Sequence, residues 1–600
     1  MLIPYEIPID SLTLPGVGEL KAGGLVLVVG PNSSGKTQLL RDIFACVTGQ
    51  SRELVVADKI SLKKPKDLNR FLNGLVERGA VRKRDAGGTT TFESVVPHYG
   101  MGTGTSDATF RDIQTWYDGL VDELSRGLPR ENPFFRQFGP VLSTSLFLDN
   151  RLAAVKGTNA FDHLSQKASN DIQALHLNSS ARARLREEIR VTFGKAIGLD
   201  STRGGHLSLR VSDLPEPSPW DWTSPERMSQ LLSIDFEGDG LRSYCAVAIA
   251  LLLGMRPLCL IDEPEICLHA PQAHAIGRFI GQYGTKDENA TFVATHSSQV
   301  LRGVLETASD VRIVRLVKVG SRFVGRLVDQ EVIRASLRKP ASRSDVILEG
   351  IFADAVTIVE ADTDRVVYNA ALDVSQPPRR RDTYFAAVGG TGGIADPLQF
   401  YRALHIPVAV VADLDLILER VRLLRVLEML TTKAAAQQLR NTSPELADLL
   451  SQVVPAITEG ETATRLRELS DRKLSWKTAD DETLAKDLRA LANAVDRKKR
   501  VKLGGLGSFD HSPDVKKRLE AFVTECAGVG LFLVPVGELE GWSPSLMQGA
   551  SLSDNKAEWA NEFVRRLREH PDQAADIVAF VREVDSFHST EAERLTTPSG

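Results

Sequence analysis

The stretch LVLVVGPNSSGKT, residues 25–37, decides how the rest of the chain is read. Leu25 to Val29 is a short apolar run rich in β-branched residues, the pattern of a buried strand. The eight residues after it match G-x-x-x-x-G-K-[ST] at every fixed position, with Gly30, Gly35, Lys36 and Thr37 in place. The glycines let the backbone turn its N–H groups onto phosphate oxygens. Lys36 reaches the outer phosphates, and the Thr37 hydroxyl suits a Mg²⁺ ligand. Asn32, Ser33, Ser34 and Gln38 complete the expected cradle. A helix over Gln38–Cys46 would add its N-terminal dipole to the anion site.

Two acidic strand ends further along fit the same chemistry. LCLIDE (258–263) is an apolar run closing on Asp262 and Glu263. A Mg-nucleotide ATPase needs such a pair: Asp262 for the Mg²⁺ shell and Glu263 to orient the attacking water. TFVATH (291–296) closes on His296, placed to reach a γ-phosphate. Between these and the P-loop, Glu237–Ser243 opens an Ala- and Leu-rich helix and carries Gly238 and Gly240.

The N-terminal part resembles the ABC/SMC-type ATPases. The resemblance makes residues 30–37 the Walker A segment, 258–263 Walker B with its catalytic Glu263, 237–243 the signature position, 268–271 the D-loop region and His296 the switch histidine. The signature departs from Leu-Ser-Gly-Gly-Gln, reading Gly-Asp-Gly-Leu-Arg instead. The Q-loop place falls to Asp149-Asn150-Arg151, at the end of a strand expected over 146–151. The resemblance implies ATP and Mg²⁺ as cofactors. It also implies a homodimer or higher homo-oligomer, because such sites are completed by a partner's signature segment.

The C-terminal part repeats the theme of acids at strand ends. AVTIVE (355–360) ends in Glu360, with Asp364 one helical turn on. PVAVVADLD (407–415) ends in Asp413-Leu-Asp415, and GLFLVPVGELE (530–540) ends in Glu538 and Glu540. Alternating strands and helices with acids at strand ends imply a parallel sheet with its site on the carboxyl edge. Clustered carboxylates with no basic partner repel, so Mg²⁺ or Mn²⁺ is expected to hold them together. Two ions about 3.5–4 Å apart are the standard device for in-line phosphoryl transfer. This half resembles the TOPRIM fold. Glu360, Asp364, Asp413 and Asp415 match its acids, and Ala361 stands where Gly is usual. An ATPase head joined to a C-terminal TOPRIM is the architecture of the OLD family, which includes the Gabija nuclease subunit. That resemblance implies a metal-dependent endonuclease in anti-phage defence, a further acid from Glu538 or Glu540, and a catalytic lysine, by position Lys556. It also implies nucleic acid as partner, DNA ahead of RNA, and a possible second defence-system protein.

Bulk properties bound the rest. Six hundred residues are too many for one core. The expected division is an ATPase domain over 1–335 with a helical insertion at about 51–230, a linker at 336–347, and a TOPRIM domain over 348–600 with a helical insertion at about 416–505. A net charge of −5 excludes a uniformly basic nucleic-acid binder but allows a local basic track. Arg379–Arg381 and Arg497–Lys502 are the candidates for one. Five scattered cysteines without a C-x-x-C pair suit a reducing compartment and argue against zinc. No signal-peptide pattern or membrane-length apolar run is present, so a cytoplasmic protein is expected. The remaining expectations are a helix near 110–126, flexible or looped segments at 100–104 and 214–226, a packing stripe of Leu484, Leu488, Leu491 and Val495, and a frayed tail after Ser586. The rival to the nuclease reading is an ATP-switched sensor or scaffold whose TOPRIM acts on RNA or holds a partner. A DNA-repair SMC-like ATPase is disfavoured, because long heptad arms are missing.

Overall fold

The computed structural model describes residues 6–50, 52–94, 107–120, 132–213, 222–285, 289–337, 347–375, 381–431, 437–439, 441, 459–470, 480–550 and 555–596. The glycine-rich 100–104 stretch, most of the proline-rich 214–226 loop, and Arg379 and Arg380 lie outside them. The chain divides into two compact units, Met1–Lys339 and Pro340–Gly600.

The first unit is built on a six-stranded sheet in the order Arg322–Val328, Arg312–Val319, Gly24–Val29, Ala290–Ala294, Leu258–Asp262, Ser143–Leu146. Every neighbouring pair is parallel except the first, an antiparallel hairpin. The central strands are apolar along their whole length because both faces are covered. Val26, Val28, Leu260 and Phe292 fill one core together with Leu39, Leu40 and Ile43 of the P-loop helix Lys36–Val47. Parallel pairing has a direct functional consequence. It brings the carboxyl ends of the P-loop strand, the 258–262 strand and the 290–294 strand to one edge.

Several local expectations shift. The strand expected over 146–151 lies at Ser143–Leu146, and Leu148–Arg151 form a helical turn. The turn closes because the N–H of Arg151 donates to Phe147 O at 2.9 Å. The 51–230 segment carries helices but is not a helical insertion throughout. It contributes the edge strand Ser143–Leu146 of the central sheet, and Lys59–Leu62 pairs with Ile9–Leu14. It also holds an antiparallel sheet of Val81–Ala86, Thr89–Ser94 and Asp107–Thr109, and a second one around Lys195–Asp200 and His206–Asp213. Val81–Ala86 is charged and exposed beyond its first residue, so it carries no apolar run to announce a strand. The 110–126 helix is described as Phe110–Asp118, capped by Thr109 and closed at Gly119.

The second unit holds a four-stranded, all-parallel sheet ordered Thr383–Ala387, Ala355–Val359, Val408–Ala412, Leu531–Leu533. Helices Asp362–Ser375, Lys556–Glu569 and Ala575–Thr596 supply most of a core with Val367, Phe532, Phe563 and Phe580. Within it Trp542 Nε1 donates to the Tyr368 hydroxyl at 3.2 Å, which satisfies the one polar group of a buried indole. The last strand is shorter than expected because Pro535 cannot donate to a ladder and Gly537 turns the chain at φ 102°. The tail after Ser586 is helical as far as Thr596, beyond which it lies outside the described residues. Helix Ala575–Thr596 runs through Ser586 and seats His588 in full burial, its Nε2 at 2.8 Å from the Thr357 hydroxyl. Within the 416–505 insertion, Leu484 and Leu491 are buried, whereas Leu488 and Val495 are exposed. The stripe therefore packs along one narrow line of helix Asp480–Val495.

Candidate functional site

In the first unit the P-loop is shaped by three left-handed residues, Gly30 (φ 142°), Ser33 (φ 60°) and Gly35 (φ 94°). A Cβ at Gly30 would lie 2.1 Å from Leu316 O, so only glycine fits there. Lys36 is buried, and its ammonium donates to Gly30 O at 2.9 Å and Pro31 O at 2.8 Å. Burial holds its pKa below the usual lysine value, with Glu263, Glu265 and Asp262 acting in the opposite sense. A buried ammonium that meets only loop carbonyls is suited to an anion, so the phosphates of a nucleotide fit this residue.

The two residues expected to hold Mg²⁺ meet: the Thr37 hydroxyl donates to Asp262 Oδ1 at 2.9 Å across 225 residues of sequence. Burial raises Asp262 to about 6, offset in part by the Thr37 hydrogen bond. A divalent ion would restore its charge, so the pair fits the metal as well. Glu263 sits at φ 46°, a strained conformation for a side chain with a Cβ. It is pinned by its own N–H donating to Ala294 O at 2.8 Å. Its Oε1 is 3.2 Å from His296 Nδ1, and that contact lowers the Glu263 pKa and raises that of His296. Behind them Glu265 Oε1 accepts from the Thr295 hydroxyl at 2.7 Å and the His296 N–H at 2.9 Å, which fixes the histidine's backbone.

Gln38 donates to Asp42 at 2.8 Å, so its amide is engaged within its own helix. Asn32 and Ser33 are exposed, and the buried Ser34 hydroxyl has no partner. Gly238 and Gly240 stand at the start of helix Asp239–Leu253. A Cβ on Gly240 would meet Cys267 O at 2.4 Å, whereas Gly238 faces open space. The Q-loop candidate Arg151 is instead a buried strut. Its Nη1 donates to Asp262 O at 2.8 Å and to Glu263 O at 3.2 Å, from behind the acids.

In the second unit the acids gather on the carboxyl edge of the sheet. Glu360 Oε1 accepts from the main-chain N–H of Asp413 at 3.1 Å, tying two adjacent strand ends. Asp364 Oδ2 accepts from the Ala361 N–H at 2.9 Å, at the start of its helix. Burial and the neighbouring Asp413 push Glu360 up to about 7. Burial likewise pushes Asp364 up to about 6, with Asp413 and Glu540 adding to the effect.

Three lysines face these carboxylates, contrary to the expectation of acids without a basic partner. Lys502 Nζ is 2.5 Å from Asp413 Oδ2 and 3.8 Å from Glu538 Oε2. Lys498 pairs with Glu419 and lies 3.5 Å from Asp415 Oδ2. Lys556 is 2.6 Å from Glu540 Oε1 and 3.6 Å from Glu538 Oε2. The 497–502 run is therefore no uniform phosphate track. Two of its cations are turned to the acids, and Arg497 and Lys499 are left exposed. The i, i+4 spacing of Lys498 and Lys502 on helix Arg497–Gly504 was the available signal, because it puts both on one face. Among the described residues no three His, Cys, Asp or Glu side chains are yet drawn in around a single point. The donor set nonetheless fits a hard divalent cation. It is all oxygen, four members (Glu360, Asp364, Asp413 and Glu538) have pKa values raised chiefly by burial, and Glu540 Oε2 is buried without a hydrogen-bond partner.

Strand order, P-loop and acid edge together define an ABC/SMC-type P-loop ATPase head followed by a TOPRIM domain. Residues 351–415 match the family described as overcoming lysogenization defect protein-like, TOPRIM domain. That span contains Glu360, Asp364, Asp413 and Asp415, and stops before Lys502, Glu538, Glu540 and Lys556. No curated protein matches the chain. Among solved structures, similarity is found to an Smc head bound to the C-winged helix domain of ScpA, at 10% identity over 55% of this chain and 99% of that one, with a TM-score of 0.31. The SMC head domain from Thermotoga maritima aligns at 13% identity over 54% and 99%, with a TM-score of 0.26. These likenesses are distant, and the head assignment rests on the strand order and the Walker residues. No helix among the described residues is long and apolar enough to cross a membrane.

Proposed function

We propose that the chain is an ATP-binding and ATP-hydrolysing, divalent-metal-dependent endonuclease of the OLD type, acting on nucleic acid, with DNA ahead of RNA, in cytoplasmic defence against phage. The observation that carries the reading is the Asp413 N–H on Glu360, because it joins the two halves of the acid set at one strand edge. In the head, Lys36 and the P-loop N–H groups hold the phosphates, Thr37 and Asp262 hold Mg²⁺, and Glu263, aligned by His296, orients the water. In the TOPRIM unit, Glu360, Asp364 and Glu540 hold the divalent ion, Asp413 positions Glu360 through its N–H, and Lys556 sits at the rim with its side chain 61% exposed, within reach of a scissile phosphate. Bound ions polarise phosphoryl oxygens and supply hydroxide at neutral pH. A homodimer through the head belongs to the proposal, because heads of the type this one resembles are completed by a partner's signature segment.

The test is incubation of the purified chain with plasmid DNA and, separately, tRNA, with Mg²⁺ or Mn²⁺, with and without ATP. Metal-dependent cutting that is lost in Glu360→Gln supports the reading. Equal cutting by the variant removes it.

A further inference from the structure

Resting on the reading of the acid edge as a metal centre, we infer that Lys502 is a built-in cation of that centre. It takes the place of a second divalent ion, so the TOPRIM site holds one metal rather than two. The acids fall into two groups by what they meet. On one side, Asp413 Oδ2 and Glu538 Oε2 converge on the Lys502 ammonium, at 2.5 and 3.8 Å. On the other, Glu360 and Asp364 each have one oxygen engaged by a backbone N–H, and Glu540 Oε2 is buried with no partner. The second side meets a cation only at Glu540 Oε1, 2.6 Å from the ammonium of Lys556, a side chain 61% exposed where that of Lys502 is 23% exposed, so this side is where an ion is called for. The first already has its positive charge.

Lys502 is not a surface side chain that drifted onto an acid. The end of its helix is locked by backbone contact with the loop that carries Glu538. Gly537 passes so close that a Cβ there would lie 2.2 Å from Lys502 O. Gly505, at φ 53°, has its Cβ position 2.3 Å from Pro535 O. The Leu506 N–H donates to Pro535 O at 2.8 Å, and the Leu414 N–H donates to Gly537 O at 2.9 Å. One loop thus ties the Lys502 helix to the segment bearing Asp413 and Asp415. One turn earlier, Lys498 meets Asp415, so the Asp-x-Asp pair is matched by a Lys-x-x-x-Lys pair. A second divalent ion at Asp413 and Glu538 would have to displace a cation fixed by this backbone, and like charges at such range repel strongly.

The experiment counts Mn²⁺ bound to the nucleotide-free full chain, from the EPR signal of free Mn²⁺, taking the ions lost in a Glu360→Gln, Asp413→Asn double variant as those of this site. One ion is expected in the wild type, two in Lys502→Met, and one in Lys502→Arg, which keeps the charge. Lys502→Gln serves in place of Lys502→Met if the latter melts early. Two ions in the wild type, or one ion in both neutral variants, overturn the inference. No ion in any form overturns it together with the metal centre. Counts of one and two without cleavage of any nucleic acid leave the inference standing and refute the nuclease reading alone.

Discussion

Arg151 and Glu263 are 112 residues apart in sequence, yet the Arg151 guanidinium donates to the Glu263 carbonyl at 3.2 Å and to that of Asp262 at 2.8 Å. A fully buried arginine therefore sets the backbone from which the Asp262 and Glu263 side chains project. Together with the Glu263 N–H donating to Ala294 O, these bonds hold Glu263 at φ 46°.

Arg151→Met removes those donors and leaves two carbonyls short of partners, a loss of about 1–3 kcal/mol. The head should melt earlier, and ATP turnover should fall while nucleotide affinity changes less. Thermal melts beside ATPase and nucleotide-binding assays check this. Unchanged turnover would reduce Arg151 to a packing residue.

Lys36→Ala should abolish nucleotide binding, because it removes the buried cation that meets the P-loop carbonyls of Gly30 and Pro31. Glu263→Gln should keep binding and lower hydrolysis by about 10²-fold or more, leaving an ATP-bound dimer visible by size exclusion. Equal ATPase rates in Glu263→Gln and wild type would take Glu263 out of the water-orienting role.

Asp413→Ala and Glu360→Ala should each stop nucleic-acid cleavage while ATP hydrolysis persists, since the head carries its own acids. Cleavage at the wild-type rate in both would sink the metal-centre reading. A melt of each variant separates loss of chemistry from loss of fold.

Metal-free stability should fall as pH rises past the ordinary glutamate range. Glu360 has its folded pKa raised to about 7 from 4.5, so between those values the folded state holds more protons than the unfolded one. The protonated form is the stable one in the native site, and that advantage is lost as pH climbs through about 7. At pH 8 in EDTA, Glu360→Gln should raise the melting temperature by about 2 °C or more, and Mn²⁺ should stabilise the wild type instead. A variant that melts lower than wild type in EDTA at pH 8 would contradict the cost assigned to the buried charge.

His588 acts in the opposite sense. Burial lowers its pKa to about 3 from 6.5, so the unfolded chain takes up a proton below pH 6.5 that the folded chain refuses. Stability is complete above 6.5 and lost progressively as pH falls toward 3. His588→Gln should flatten the fall in melting temperature between pH 7 and pH 5. An unchanged slope would assign acid sensitivity to other groups.

Sequence by itself determined the P-loop, the acids at the ends of the 258–262, 355–359 and 408–412 strands, and the α/β character of both units. These signals are local. A phosphate cradle and a strand-end acid are each contained in a dozen consecutive residues, and the apolar runs before them leave little choice of structure. What depends on long-range packing was decided only by the tertiary structure. The Lys502–Asp413 contact spans 89 residues, and the Arg151 bonds to the Walker acids span 111 and 112. In sequence Lys498 and Lys502 belong to a charged run of the kind that usually faces solvent. They reach the acids because Gly505 and Gly537 let two backbones touch. The tail after Ser586 shows the same division. Its composition reads as a loose end, but the sheet needs its face covered, and Phe587 and His588 pack where that face would otherwise meet water.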